Sequence, residues 1–185
     1  DTQRGKVVFD FKDHAQRKGW SNVPTAIFKR QGLRMGDLTQ PQREAVLVVL
    51  AAALSLQGYQ KILQIVEADE LLKKSSGETM FGGDEYYVSF LVQPSTTEPW
   101  MIQFGGHHLG LNITLAGEQR TLAPSHTGAQ PAIYELEGKT VRPLGRETDK
   151  AFALLSSLND AQRKQAILGF QMGDLVLGPG RDGET

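Results

Sequence analysis

The feature that most constrains the fold is the alternation of apolar and polar residues between positions 107 and 115. Successive side chains of a β-strand point to opposite faces of a sheet, so this alternation predicts a strand with two different faces. One face carries Leu109, Leu111, Ile113 and Leu115, and the other carries His108, Gly110, Asn112 and Thr114. We expect the apolar face to lie in the core. The polar face is either the floor of a ligand pocket or the wetted side of an antiparallel strand.

Two adjacent histidines, His107 and His108, begin this stretch. On a regular strand their rings point to opposite sides, which predicts His107 at the edge of the core and His108 in a site. Gly105 and Gly106 precede them, and glycine permits a bulge or an irregular backbone that turns both rings to one side. Both orientations of the ring pair therefore remain open.

A third histidine, His126, lies in residues 124–132, whose glycine and proline content predicts a loop. A loop histidine is usually exposed, but His126 is only one hairpin away from His108. Imidazoles from neighbouring segments bind zinc, copper or iron. We therefore predict a transition-metal site formed by His107, His108 and His126, with Asn112 and Trp100 contacting a substrate.

Two helices are predicted before the strands. Thr39 and Gln42 form a capping-box pattern in front of an Ala-, Leu- and Val-rich run that reaches Gln57. A second helix is predicted over residues 59–74, and the pair is interpreted as an N-terminal helical hairpin, with the first helix buried on most sides. The acidic residues of the second helix are interpreted as a solvated face rather than a metal cluster: Glu67, Asp69 and Glu70.

The remaining pattern predicts an α+β domain that spans residues 1–185. Strands are expected over residues 86–93, 100–104 and 119–123, and with the histidine stretch they form a central antiparallel sheet. C-terminal helices are expected over residues 148–158 and 159–170, and we expect them to pack against the sheet. The second of these helices is capped by Asn159 with Gln162.

Composition excludes several classes of function. The 185 residues carry 20 basic and 21 acidic side chains, so nothing indicates a nucleic-acid or membrane surface. Cysteine is absent, which excludes disulfides, thiolate metal ligands and a cysteine nucleophile. The chain also has no nucleophile-elbow, phosphate-loop or dinucleotide motif.

A series of motifs resembles the bacterial and fungal domain-of-unknown-function family numbered 3500. The most specific of them is the Gly-His-His-Leu-x-Leu-Asn phrase at residues 106–112, and the resemblance covers most of the chain. The others occur in order: Gly32–Thr39, Gln42-Arg43, Tyr86-Tyr87, Pro99-Trp100 and Gly128–Ala132. Members of that family continue with a Tyr-Arg-Ile-x-Gly-Pro strand and a His-x-His phrase, which these residues lack. The resemblance implies that the chain is the N-terminal portion of a longer fold, whose remaining part, or a second chain, packs against it.

Three hypotheses for function follow. The first is a metal-dependent enzyme that acts on a small molecule at the histidines, with open metal positions for water or substrate. The second is a non-catalytic module that binds a small ligand or sugar through the polar strand face and the aromatic residues Trp100, Tyr86 and Tyr87, which alternatively pack in the core. The third is a structural half that packs with a missing second chain.

Overall fold

A six-stranded sheet is the centre of the computed structural model, which describes residues 3–169. Its strands are β1 (Val8–Phe9), β2 (Leu33–Arg34), β3 (Tyr87–Leu91), β4 (Trp100–Gly106), β5 (Leu109–Ala116) and β6 (Gln119–Thr127). Strands β3 to β6 form the predicted antiparallel meander. β1 and β2 pair with different residues of β3, β1 in parallel and β2 in antiparallel orientation, so the sheet is mixed.

Helices and a small hairpin complete the α+β fold of the described residues. The helices are α1 (Arg4–Val7), α2 (His14–Lys18), α3 (Gln40–Ala53), α4 (Leu56–Ser76), α5 (Gly145–Ser157) and α6 (Asp160–Ala166), and the hairpin pairs β7 (Tyr134–Leu136) with β8 (Lys139–Val141). The last two helices confirm the prediction of C-terminal helices, and Asn159 caps α6 with Gln162 as predicted. Their predicted packing against the sheet is not found for the apolar residues Phe152 and Leu154 of α5, which are each 64% exposed. Phe170, the predicted end of the last helix, lies outside the described residues. None of the helices among residues 3–169 combines the length and the hydrophobicity that crossing a membrane requires.

The helices between β2 and β3, α3 and α4, do not form a clear helical hairpin, contrary to the prediction. α3 ends at Ala53 because the Ser55 side chain accepts a hydrogen bond from the Gly58 amide and starts α4 there. α3 also buries only Leu50 and Ala53, while Val48 is 67% exposed. Only one face of α3 packs on the core, through Leu47, Leu50 and Ala53, and the apolar residues on its opposite face are exposed, so the prediction that this helix is buried on most sides is wrong.

The apolar face of β5 lies in the core, as predicted. Leu109, Leu111 and Ile113 are each at most 3% exposed. They belong to a cluster that also contains Ile62 and Ile65 of α4. The burial of this face positions the first residue of β5, and therefore the histidines immediately before it, against α4.

The polar face of β5 is largely buried as well, which argues against the alternative of a wetted strand face. Ser89, Gln103 and Asn112 lie side by side on β3, β4 and β5, and Gln16 of α2 covers them. Gln103 Nε2 donates to Asn112 Oδ1 at 2.9 Å, and Gln16 Nε2 donates to Gln103 Oε1 at 2.9 Å. The amides satisfy one another, which allows a polar row to be enclosed at little cost.

Strand β6 is longer than predicted and includes His126. Pairing between β5 and β6 continues after a register shift between Leu111 and Ile113, and Gly110 pairs with His126. The shift leaves one extra residue in β6 near Pro124, which has no amide hydrogen for the ladder. The proline and glycine that predicted a loop here mark a bulge and the end of the strand instead.

Candidate functional site

His107 and His108 form the two-residue turn between β4 and β5. Gly106 pairs with Leu109 across this hairpin, so the backbone must reverse within the two histidines. His108 has a φ of 62°, in the left-handed region that residues other than glycine seldom adopt. The two ring centroids lie 3.8 Å apart. Of the two orientations that the sequence left open, the structure has both rings on one side, because they lie in a turn and not on a regular strand.

A buried carboxylate orients the first of these rings. Asp69 of α4 is 1% exposed, and its Oδ1 lies 2.7 Å from Nδ1 of His107. Its other oxygen accepts the amide hydrogen of Gly82 at 2.8 Å. Because a carboxylate only accepts hydrogen bonds, His107 donates through Nδ1, and in the neutral ring Nε2 carries the lone pair. Phe81 packs against the ring at 4.8 Å, and the His107 residue is 8% exposed.

The backbone of the turn is held on several sides. The Tyr86 hydroxyl donates to the His107 carbonyl at 2.8 Å, and the Gly128 amide donates to the His108 carbonyl at 2.7 Å. Arg30 Nη2 donates to the carbonyl of Gly106 at 3.0 Å, and the pKa of Arg30 is lowered by burial. These bonds stabilise a backbone conformation that would otherwise be unfavourable at His108.

His108 is half-buried and has only a weak polar contact. Its Nε2 lies 3.3 Å from Oε1 of Gln130, longer than a typical hydrogen bond. Its Nδ1 faces Gly128, where an added Cβ would lie 3.1 Å away. Burial, and then the neighbouring His107, lowers the pKa of His108 below its usual 6.5. This shift favours the neutral ring at pH 7.

His126 is placed near the turn, but its ring already has a partner. Asn22 Nδ2 lies 3.0 Å from His126 Nε2. An amide nitrogen only donates, so this ring nitrogen is the acceptor. Asn22 also binds the turn, because its carbonyl accepts the His108 amide hydrogen at 2.7 Å. Burial lowers the pKa of His126, so this ring is also neutral at pH 7.

These positions fit a metal ion only in part. Within residues 3–169 there is no group of three or more His, Cys, Asp or Glu side chains that could hold one. Asn22 occupies Nε2 of His126, which leaves His107 and His108 as the available imidazoles. An ion bound there would need its other ligands from water or from a bound molecule.

The other two predicted site residues do not join the histidine rings. Asn112 is 1% exposed, and both ends of its amide are bonded to protein, with Nδ2 donating to the Pro124 carbonyl at 2.9 Å. Trp100 begins β4, six residues before Gly106, which places it about 20 Å along the strand from the turn. Its indole donates to the Ser95 carbonyl at 2.9 Å.

The glycines of this region permit close packing rather than an opening. A Cβ on Gly106 would lie 2.8 Å from the Tyr86 ring, and one on Gly110 would lie 2.7 Å from the Trp20 ring. A space of only about 30 Å³, enough for roughly one water molecule, remains beside Trp20.

Sequence reasoning missed Asp69, which is the most buried charged group of the site. Its neighbours Glu67 and Glu70 are partly exposed, whereas Asp69 is buried, so the interpretation as a solvated face is wrong for Asp69. The signal was present in the helix period, since Asp69 lies on the same stripe as the core residues Ile62 and Ile65. A carboxylate on an apolar stripe requires a buried partner.

Comparison with known proteins gives one match. The family model described as protein of unknown function (DUF3500) matches residues 1–185. A search of curated proteins and a search of solved structures each found no match.

Proposed function

The chain belongs to the DUF3500 family, and from that premise we propose that the turn of His107 and His108 binds a small polar molecule and exchanges a proton with it. His107 is the acid–base group, Asp69 positions it, and His108 contacts the bound molecule. The observation that carries this proposal is the 2.7 Å contact between the Asp69 carboxylate and His107 Nδ1.

A carboxylate at Nδ1 supports acid–base chemistry for two reasons. It fixes the tautomer and the direction of the ring, so that Nε2 is the nitrogen that accepts a proton. It also stabilises the imidazolium that forms once Nε2 is protonated. The second bond of Asp69, to the Gly82 amide, keeps the carboxylate in place during this change.

The conformation of His108 supports a functional turn. A left-handed residue with a side chain costs on the order of 1 kcal/mol relative to glycine, and such strain is concentrated at binding and catalytic sites. Gly-Gly or Asn-Gly would make a hairpin turn at a lower cost. A neutral imidazole with a weak 3.3 Å contact can also exchange Gln130 for a ligand.

A transition-metal ion, such as zinc, copper or iron, is the second candidate. A histidine that ligates a metal usually donates its other ring nitrogen to a carboxylate, and Asp69 supplies that bond to His107. His107 and His108 would then be the protein ligands, and a bound small molecule or water would complete the coordination.

The first experiment tests the oriented tautomer without knowledge of the substrate. Long-range ¹H–¹⁵N spectra of chelator-treated protein should show His107 with the proton on Nδ1. The Asp69→Asn variant should lose this preference, because an amide can also donate. A wild-type His107 with the proton on Nε2 would contradict the acid–base role.

The second experiment separates a ligand site from a metal site. Thermal shift of chelator-treated protein is measured with small carboxylic acids, hydroxy acids and sugars, and separately with Zn²⁺, Cu²⁺ and Fe²⁺. We expect stabilisation by an organic compound that is lost in His107→Gln and His108→Gln and kept in His14→Gln, whose histidine is exposed on α2. Stabilisation by a metal alone, with the same dependence, would favour the second candidate. Equal effects in all variants would refute both.

A further inference from the structure

A second cleft, separate from the histidines, lies between the first turns of α4 and the start of α5. It encloses about 600 Å³, which is within the range of small-molecule sites. Gln57, Lys61 and Gln64 of α4 line it at spacings of about one helical turn. Asp69 lies on a different face of the same helix, about a third of a turn around it. The cleft therefore opens away from the candidate acid–base site.

The cleft has more positive than negative charge. Lys61, Arg142, Arg146 and Lys150 line it, together with the single carboxylate of Glu147. Glu147 pairs with Lys61, and Asp149 pairs with Arg142 through two hydrogen bonds of 2.8 and 3.1 Å.

Two cations remain outside these ion pairs. Arg146 donates to the neutral amide oxygen of Gln57. Lys150 has no carboxylate within ion-pair distance among residues 3–169. If every cation of the cleft had its own carboxylate partner, ion pairing alone would explain the cluster. Arg146 and Lys150 instead exceed the carboxylates at this concave surface. Such a surface attracts anions.

The N-terminal ends of two helices add to the positive potential of the cleft. α4 has 21 residues and begins at the cleft with Ser55 and Gly58, and α5 has 13 residues and begins there with Arg146 and Glu147. The positive ends of both helix dipoles therefore contribute at the same place as the unmatched cations. This contribution supports the charge argument and does not replace it.

We propose that this cleft binds a small organic anion, a molecule with one phosphate or carboxylate group and a hydroxyl-rich body. Arg146 and Lys150 recognise the anionic group. The amides of Gln57, Gln60 and Gln64 line the rest of the cleft and suit hydroxyl groups. The volume is several times that of a single anion, so the body of the ligand fills most of it.

The test uses glucose 6-phosphate, glucuronate and glucose as probes, with binding measured by calorimetry on the full chain at low ionic strength. We expect both anions to bind and neutral glucose not to bind. Lys150→Gln and Arg146→Gln should each weaken binding of the anions by about fivefold or more, because each removes one charge-assisted contact. Which anion binds more tightly identifies phosphate or carboxylate as the preferred group.

Exposed cations elsewhere supply a matched control. Arg120 of β6 and Lys139 of β8 are exposed, and changing both to glutamine alters the net charge as much as changing both Arg146 and Lys150 to glutamine. The control should bind like the wild type. Failure of both anions to bind, or an equal loss in the control, would overturn the proposal. Thermal melts of every variant show whether a loss reflects unfolding, since Arg146 also joins α5 to α4.

Discussion

The carboxylate of Asp69 and the ring of His107 are 38 positions apart in sequence, and they meet at 2.7 Å where α4 packs on the hairpin of β4 and β5. Both residues are buried, at 1% and 8% exposed. The contact links the core of the protein to the turn that carries the two histidines.

Replacing Asp69 by asparagine should destabilise the protein by about 1–3 kcal/mol, the usual effect of disrupting a buried hydrogen-bonded group. An amide keeps the shape, but it cannot accept from both His107 and Gly82 through two oxygens. Urea unfolding measures the change. Glu67→Gln, on the partly exposed side of α4, is the control and should change stability by less than about 0.5 kcal/mol.

Glycine at position 108 should be more stable than alanine at the same position by about 1 kcal/mol. Both variants lose the imidazole, and only glycine adopts a φ of 62° without strain. Because neither variant has the ring, the difference between their unfolding free energies measures the backbone strain at position 108. Unfolding free energies of His108→Gly and His108→Ala give the difference directly, and equal stabilities would show that the turn is not strained.

Stability should fall as the pH decreases below about 6.5 because of His108 and His126. Burial lowers the pKa of both rings in the folded protein below the usual 6.5, so the unfolded chain binds protons first. The stability that the two neutral rings contribute is complete above the pKa that they have in the unfolded chain. It is lost as the pH falls through the lower pKa that they have in the folded protein. Unfolding measured at several pH values should show a smaller slope for His126→Asn than for the wild type. An unchanged slope would contradict this assignment.

Gly106→Ala should destabilise the protein by about 1–3 kcal/mol. The new methyl group would lie 2.8 Å from the ring of Tyr86, which is fully buried and cannot move without disturbing the core. Gly5→Ala is the matched control, since nothing lies within 4 Å of a Cβ at that position. Chemical denaturation of the two variants should separate them clearly.

Asn112→Ala should also cost about 1–3 kcal/mol, because it leaves the Gln103 amide and the Pro124 carbonyl without their partner in a buried region. If Asn112 also binds substrate, as the sequence predicts, a ligand found at the histidines should lose affinity in this variant. If a folded Asn112→Ala protein binds the ligand as tightly as the wild type does, Asn112 has a structural role only.

Much of the architecture could be predicted from local patterns. The alternation at residues 109–115 and the cap at Asn159 each reflect contacts within a few residues, so the sequence contains their physical cause. The extent of β6 could not be predicted in this way. It depends on pairing with β5 beyond a bulge, which overrides the local preference of Pro124, whereas Gly128 lies just after the end of the strand.

The sequence indicated where the candidate site would lie, and the tertiary structure supplies the partners of its rings. The adjacent histidines and the preceding glycines indicated the position, and the family match over residues 1–185 agrees with the resemblance of these motifs. That a further part of the family fold contributes to this site stays a prediction. The partners of the rings come from distant segments: Asn22, Asp69 and Gln130.

The sequence by itself determined that His107 and His108 are adjacent, that an apolar strand follows them, and that Asp69 shares a helical stripe with core residues. Only the tertiary structure decided that the rings lie side by side with the Asp69 carboxylate at Nδ1. The physical reason is that periodicity fixes which face of an element a side chain is on. Which residue that side chain contacts is decided by the packing of α4 against the hairpin of β4 and β5. This packing brings together residues that no local pattern connects.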